Sequence, residues 1–329
     1  LLEIYVFLPY LFFNTMNNYP IATILGGGGF IGRDLVRNLT KKNFRCIIPT
    51  RNPFTKGYLK TQAPTGAIEI INFSQNNFDE VKKAINNSDV VINLCGILYE
   101  TRKQKFDTIH SDLPETIANL CAQTQVKKFI HFSALGASKE SISKYQQSKF
   151  LGEEKALNNF KNTIVIRPSV VCGNEDNFTN LFAKLSFSPI IPIVNMSYKF
   201  QPIFVNDVAR AILKAIEIKN NEGKIYEIGG EKIMSFGDVV KLILKIIGKK
   251  RLVLEMPMTL AKVQSTILGL LPIPPILTKD QCLILSEKDN VVSGNHLTLQ
   301  DLNIKPTDVE NEMKKWLWRY RSGGEFAKV

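Results

Sequence analysis

The chain has 329 residues, long enough for one large α/β domain with a smaller appended lobe, and its hydrophobic fraction of 44% suits a globular rather than a disordered protein. Its net charge of +12 would attract a polyphosphate ligand or an anionic surface. The basic residues, however, form short pairs without interleaved aromatic residues. This pattern favours solvated helix faces over a docking patch, and it predicts no nucleic-acid partner.

The cysteines predict neither a disulfide framework nor a metal site. They are odd in number and far apart: Cys46, Cys95, Cys121, Cys172 and Cys282. Such spacing is typical of free thiols in a reducing compartment.

The first residues, "LLEIYVFLPYLFF", are apolar but too short to cross a bilayer. They lack a basic start, a small-residue cleavage site and the pattern of a mitochondrial leader. Met16 stands just before the first convincing strand. We therefore expect residues 1–18 to form an N-terminal extension, with an upstream reading-frame extension or cloning artefact favoured over an interfacial anchor.

Strand-like and helix-like segments alternate along the chain. The order is "IATIL", a helix from Arg33, "RCIIP", "IEIINF", a helix near Asp79, "VVINLCG", a helix from Pro114 and "KKFIHFS". A helix around Tyr145 to Leu157 follows, then "TIVIRP", "KIYEIGG" and the helical "SFGDVVKLILKIIG". Strands separated by helices indicate right-handed βαβ units and hence a parallel sheet.

The amino-acid pattern changes after Gly248. There the segment "LEMPMTLAKVQSTILGLLPIPPIL" is apolar and interrupted by prolines. We expect a smaller, mostly helical C-terminal lobe and tail over residues 249–329. Part of this lobe is expected to be inserted between the late strands, within residues 19–248. The most economical interpretation of the apolar stretch is a core-forming helix.

Four glycines, "GGGG", stand between the first strand and the first helix. Gly26, Gly29 and Gly32 satisfy G-x-x-G-x-x-G, and Gly27 begins the overlapping G-x-G-x-x-G. Both patterns provide a tight turn, a backbone that a pyrophosphate can approach and close helix-to-strand packing. Packing alone is the alternative. The surrounding βαβ pattern favours a Rossmann-type, doubly wound parallel sheet that binds NAD(P) over residues 19–248.

The end of the second strand, "CIIPTRNP", indicates which dinucleotide is bound. An acidic residue usually meets a free ribose 2′-hydroxyl there, but this chain offers Thr50, Arg51 and Asn52. An Arg side chain fits a 2′-phosphate bidentately, and Arg33 adds a second positive charge. NADP(H) is therefore favoured over NAD(H), with a solvated loop role for Arg51 as the alternative.

The segment "SKYQQSK" places Tyr145 one helical turn before Lys149. A neighbouring ammonium is expected to lower the pKa of the phenol, so that Tyr145 could act as acid or base toward a carbinol or carbonyl. Ser133, at the end of "FIHFS", could polarise the same oxygen. Together these three residues predict a catalytic set.

These motifs resemble the extended, atypical branch of the short-chain dehydrogenase/reductases. The segments "GGGGFIG", "DVVINLCG", "FIHFSALGA", "YQQSK", "IRPSVVCG" and "QPIFVNDVARAI" occur in that family's order. Within the branch, "IIPTR", "SKYQQSKFLGE", "IRPSVVCGNEDNF" and "TKDQ" are similar to the NADPH-binding accessory subunits of respiratory complex I and their α-proteobacterial relatives. The resemblance runs from about Ile21 to about Val309.

The resemblance implies a cofactor site in three parts. The pyrophosphate would be lined by Gly26, Gly29, Phe30, Ile31 and Gly32. The 2′-phosphate would be met by Arg51. The adenine-side ribose and the middle of the cofactor would be flanked by Leu94, Cys95 and Gly96. The nicotinamide end would be surrounded by Ser133, Tyr145, Lys149 and Pro168.

Two positions depart from the pattern of the catalytic members. Leu25 stands where these commonly carry Thr, and Ser74 stands where an Asp usually approaches the adenine. Both departures weaken the argument for turnover while leaving cofactor binding possible. The accessory subunits themselves are expected to use the cofactor to fix the fold.

Two functions of different class remain open. The favoured one is a cofactor-binding structural or assembly component of complex I, on the cytoplasmic face of a bacterial inner membrane or, alternatively, the matrix side of the mitochondrial one. Its basic surface and the segment Met256–Pro275 would then face the partner subunits or the membrane. The alternative is a free NADP-dependent reductase, dehydrogenase or sugar-nucleotide epimerase that uses Ser133, Tyr145 and Lys149.

Overall fold

A seven-stranded parallel sheet forms the centre of the protein in a computed structural model that describes residues 19–73, 78–268 and 275–324. The predicted extension 1–18 lies outside the described residues. The strands are β1 (Ile21–Leu25), β2 (Arg45–Thr50), β3 (Ile68–Asn72), β4 (Val90–Asn93), β5 (Lys128–Phe132), β6 (Thr163–Pro168), β7 (Val171–Cys172), β8 (Ile190–Val194), β9 (Lys199–Phe200), β10 (Ile203–Phe204), β11 (Ile225–Ile228), β12 (Met234–Ser235) and β13 (Leu252–Met256).

The helices connect these strands. They are α1 (Phe30–Lys41), α2 (Asp79–Asn86), α3 (Leu113–Ala122), α4 (Lys144–Asn159), α5 (Thr179–Leu185), α6 (Val205–Glu217), α7 (Phe236–Ile246), α8 (Met258–Leu268), α9 (Lys279–Ile284) and α10 (Val309–Leu317). Short 3₁₀ segments span Phe54–Gln62 and Trp318–Tyr320, and a π-helical turn spans Asp107–Asp112.

The strand order of the large sheet is β3-β2-β1-β4-β5-β6-β11, and every pairing in it is parallel. The order reverses direction between β1 and β4, which is the topological switch point of a doubly wound fold. The predicted Rossmann-type α/β architecture is therefore confirmed. Ligands of such sheets bind outside the carboxyl ends of the strands at this point.

Hydrophobic spacing explains the outer layers. Helix α1 buries Leu35, Val36 and Leu39 at a helical period, and it packs beside α6, which buries Val208 and Ile212. These side chains share one core with the inward faces of the sheet. This packing holds the N-terminus of α1 at the carboxyl end of β1.

A second core builds the lobe. It combines residues from distant parts of the chain, including Phe182, Ile191, Val240, Cys282 and Trp316. Leu299 and Leu302, in contrast, join the core of the large sheet. The chain thus passes between the two cores several times, and the predicted boundary at residue 248 stays a prediction.

All five cysteines are free thiols. Across the described ranges, no helix combines the length and apolar character that crossing a bilayer requires. Within the same ranges, no cluster of His, Cys, Asp and Glu side chains could hold a metal ion.

Candidate functional site

The glycine turn follows β1 directly and is tightly packed. Gly26 has a φ of 80°, Gly27 N donates to Ile24 O at 3.1 Å, and Gly29 N donates to Gly26 O at 2.9 Å. A Cβ atom on Gly32 would lie 2.5 Å from the carbonyl oxygens of both Gly26 and Gly27. Packing therefore explains Gly26 and Gly32.

Gly29 is different, because it adopts ordinary extended backbone as the N-cap of α1. A Cβ atom there would meet only Gly26 O, at 3.1 Å. Helix α1 has no side-chain cap and no acidic residue in its first turn, and among the described residues nothing accepts from the N–H groups of Phe30, Ile31 and Gly32. Free donors at the positive end of a helix dipole fit a pyrophosphate.

Three basic side chains lie near this turn. Arg51, just past β2, is exposed and forms no hydrogen bond or ion pair with the described part of the chain. Arg33 instead donates to Glu175 at 2.5 Å. The aliphatic part of Lys56 covers Gly28, with Cδ 3.0 Å from where a Cβ would be. The sequence analysis missed Lys56, which lies in a 3₁₀ segment without a motif.

The middle of the predicted site follows β4. Cys95 N donates to Asn93 Oδ1 at 3.1 Å, and burial raises the pKa of the Cys95 thiol to about 11. A Cβ on Gly96 would lie 3.3 Å from Lys149 Nζ, so the glycine leaves room for that ammonium. Pro168 ends β6 at the same edge of the sheet. Ser74, predicted near the adenine, lies outside the described residues.

Tyr145 and Lys149 lie on α4 as predicted, but their electrostatics differ from the expectation. Lys149 Nζ is buried and donates to Phe132 O at 3.1 Å, and burial lowers the pKa of this ammonium to about 8. Burial, together with the carboxylate of Asp280, raises the pKa of the Tyr145 phenol to about 12. The phenol is therefore protonated at neutral pH, and the expected lowering by Lys149 does not occur.

Ser133 follows β5, and its buried hydroxyl has no hydrogen-bond partner in the described part of the chain. Burial raises the pKa of the Glu153 carboxyl, against the lowering effect of the Arg167 guanidinium. Glu153 in turn accepts three hydrogen bonds from Arg167, at 2.9, 3.2 and 2.6 Å. Among the described residues, no hydrogen bond joins Ser133 to Tyr145. Ala134, the residue after Ser133, has no hydroxyl that could take its place. The catalytic assignment of Ser133 stays a prediction.

His110 is a site residue that the sequence analysis missed. Its Nε2 accepts from Ile97 N at 3.0 Å, so its Nδ1 carries the proton and donates to Ser148 Oγ at 2.9 Å. Burial lowers the pKa of the ring to about 2 and keeps it neutral. The ring stacks on Phe106 and meets the Tyr145 ring edge-on at 5.2 Å between centroids. His110 thus packs against Tyr145 from a π-helical turn that no sequence motif indicates.

Comparison with known proteins agrees with this geometry. Residues 22–229 match the model of the NAD dependent epimerase/dehydratase family. A UDP-glucuronic acid 4-epimerase from Bacillus cereus, solved in complex with UDP-glucuronic acid and NAD, has a similar fold, with a TM-score of 0.68, 18% identity and coverage of 90% of this chain and 98% of that one.

Two mitochondrial proteins are more similar in sequence. NADH dehydrogenase [ubiquinone] 1 alpha subcomplex subunit 9 of Mus musculus is 31% identical over 92% of this chain and 81% of its own length. The subunit of the same name from Dictyostelium discoideum is 31% identical over 94% of this chain and 87% of its own length. The chain therefore belongs to the NAD dependent epimerase/dehydratase family and, within it, to the family of this alpha subcomplex subunit 9.

Proposed function

We propose that the protein is an NADP(H)-binding structural component of respiratory complex I. The relatives named above are subunits of NADH dehydrogenase, and they match this chain over nearly its whole length. Two features together support NADP(H) binding. The N-terminus of α1 at Gly29 has free N–H groups, and Arg51 is exposed and makes no ion pair with the described residues. The first fits a pyrophosphate and the second a 2′-phosphate.

The residues predicted at the nicotinamide end favour a protein that binds the cofactor without catalysing a reaction. A bound nicotinamide would supply hydride chemistry, which needs a group that passes a proton near neutral pH. The Tyr145 phenol, with its pKa near 12, serves better as a hydrogen-bond donor. In this proposal the Lys149 ammonium donates to a ribose, and the edge-on contact with His110 orients the Tyr145 ring.

The lobe offers a surface for the partner. Strands β8 and β13 pair in parallel, with Leu252 opposite Ile190 and Leu254 opposite Pro192, and all four side chains are exposed. We call this set the lobe strip. Three cations, Lys249 to Arg251, precede β13 directly. An apolar patch with a basic rim fits a protein partner or an anionic membrane surface.

Helix α8, which lies within the predicted segment Met256–Pro275, follows the lobe strip along the chain. It buries Ala261 and Ser265 on one side and exposes Leu260 and Val263 on the other. It is therefore both a packed helix of the lobe and an extension of its apolar surface. We place the protein on the membrane face that is the matrix side in mitochondria and the cytoplasmic side in bacteria.

Cofactor selection is tested by titrating the purified protein with NADPH and NADH. We expect the chain to bind NADPH more tightly. Arg51→Ala should weaken NADPH roughly ten- to a hundredfold, since a charge-assisted hydrogen bond contributes about 1.5–3 kcal/mol, and should leave NADH nearly unchanged. Lys60→Ala, at another cation of the same surface segment, is the control. Equal affinity for the two cofactors in the unmodified chain would contradict the NADP(H) assignment.

Assembly is tested by isolating the native membrane complex with a tagged chain. We expect complex I subunits to co-purify, and Tyr145→Phe to spare both this association and NADPH binding. The alternative, a free reductase, dehydrogenase or epimerase, predicts turnover in a carbonyl and sugar-nucleotide screen that Tyr145→Phe abolishes. Such turnover without any association would replace the proposed function by the alternative.

A further inference from the structure

The helix that carries Tyr145 and Lys149 begins with an electrostatic deficit. Ser143 is its N-cap, and Ser143 Oγ accepts from Gln146 N at 3.2 Å. The first turn of α4, however, contains Lys144 and no acidic residue. Its own sequence therefore leaves the N–H groups of Lys144 and Tyr145 without an acceptor and places a cation at the positive end of the helix dipole.

Asp280, from the lobe, supplies what α4 lacks. Its Oδ1 accepts from Lys144 N at 2.8 Å, and its Oδ2 accepts from Tyr145 N at 3.2 Å and from Ser143 Oγ at 2.7 Å. One carboxylate thus satisfies two free N–H groups and orients the capping serine. It also brings a negative charge to the helix end where that charge is favourable.

Asp280 is itself held in place. It lies in the first turn of α9, where Thr278 and Gln281 form a capping box with bonds of 2.9 and 3.1 Å. A second lobe carboxylate, Glu287, accepts from Ile142 N at 2.9 Å and so fixes the loop before α4. The contact is therefore built from both sides, and it joins the lobe to the nicotinamide end of the predicted site.

The same carboxylate acts on the phenol. A negative charge beside Tyr145 disfavours a second one on its oxygen, and this adds to the effect of burial in raising the pKa of the phenol to about 12. Lys149 Nζ, which could oppose the effect, is engaged by Phe132 O. The local geometry therefore favours a neutral hydroxyl that donates a hydrogen bond.

We propose that Asp280 is a positioning residue of the cofactor site: from the lobe it fixes the first turn of the helix that carries Tyr145 and Lys149, and its carboxylate lies beside Tyr145. The role of Tyr145 toward a nicotinamide rests on the proposed function. The protonation of Tyr145 and the geometry of α4 do not, since both belong to the chain alone.

The test uses the full chain labelled with difluorotyrosine, whose fluorine atoms lower the pKa of every phenol into a range that the fold tolerates. The fluorine resonance of residue 145 is assigned by its absence in Tyr145→Phe. We expect Asp280→Asn, which keeps an acceptor oxygen but removes the charge, to lower the titration midpoint of Tyr145 by roughly one pH unit. Glu287→Gln, the matched control without a contact to Tyr145, should leave the midpoint unchanged.

The positioning part has its own measurement. In Asp280→Ala, hydrogen exchange at the amides of Lys144 and Tyr145 should become at least roughly tenfold faster, while the amides of α6 keep their rates.

An unchanged midpoint in Asp280→Asn, an equal drop in Glu287→Gln, or unchanged exchange at the amides of Lys144 and Tyr145 in Asp280→Ala would overturn the proposal. All these measurements are made without cofactor. If the chain fails to bind NADPH but the shifts occur as expected, the proposed function is wrong and the role of Asp280 stands. If NADPH binds but the shifts are absent, the reverse holds.

Discussion

Lys149 shows how burial sets the pH range over which a single side chain is charged. Its ammonium lies next to Gly96 and donates to a carbonyl, and the pKa is lowered from 10.5 to about 8 because burial disfavours the charged form. The charged form is present below pH 8 and lost above it. A ligand contact that needs the ammonium is therefore sensitive to pH just above neutrality.

We predict that NADPH affinity falls as the pH rises through about 8. With this pKa, the charged fraction of Lys149 drops roughly tenfold between pH 7 and pH 9, and the affinity should follow it. Calorimetric titration at several pH values measures the profile. Lys149→Met should bind weakly with a flat profile over the same range. A decline of equal steepness in that variant would show that another group is responsible.

The sequence predicted residues well where a motif fixes the backbone, and poorly where contacts are distant. The position of Arg51 could be predicted because it directly follows β2, the neighbour of β1 in the sheet. The Ser133 hydroxyl could not, because its direction depends on how the chain leaves β5. Asp280 contacts Tyr145 across 135 positions of sequence. The capping-box pattern at Thr278 indicates a helix start but not the neighbour that this helix serves.

At the scale of elements, two glycines at the N-terminus of α1, Gly29 and Gly32, have different roles. Gly32 has no room for a side chain because two carbonyl oxygens lie against it, whereas Gly29 has ordinary backbone geometry and one close neighbour. The first glycine is required for the packing of helix on strand. The second leaves the helix N-terminus open to a ligand.

We predict opposite outcomes for these two positions. Gly29→Val should change the free energy of unfolding by less than about 1 kcal/mol, yet weaken NADPH at least about tenfold, because its branched side chain enters the phosphate position. Gly32→Ala should destabilise the fold by about 1–3 kcal/mol through overpacking. Urea unfolding and cofactor titration measure both quantities. Unchanged affinity in Gly29→Val would mean that the turn serves packing alone.

For the whole molecule, local pattern predicted the sheet but not the composition of the lobe. Strand runs such as "TIVIRP" and the helix "SFGDVVKLILKIIG" form where their periodicity indicates them. The lobe core instead joins Phe182, Val240 and Trp316, which are brought together only by tertiary packing. Leu299 and Leu302 return to the large sheet, so a change in composition along the chain does not mark this division.

We predict that the lobe strip contributes to assembly with the partner subunits. Leu252 and Leu254 are 55% and 44% exposed on one face of β13, where a monomer gains nothing from them. Replacing both by Thr keeps a residue suited to a strand and removes apolar contact area. Because each half-exposed leucine can bury enough surface to contribute about 1 kcal/mol, the double variant should bind the complex roughly thirtyfold more weakly.

Co-purification from membranes at graded salt and quantitative binding to the complex lacking this subunit measure the effect. NADPH affinity and the free energy of unfolding should stay at the values of the unmodified chain, because the opposite face of the sheet, with Ile191 and Ile193, is untouched. Leu151→Gln, an exposed leucine on the outer face of α4, is the matched control and should assemble normally. If the strip variant assembles as well as this control, the partner contacts another face of the protein, and the apolar face of β13 has no part in docking.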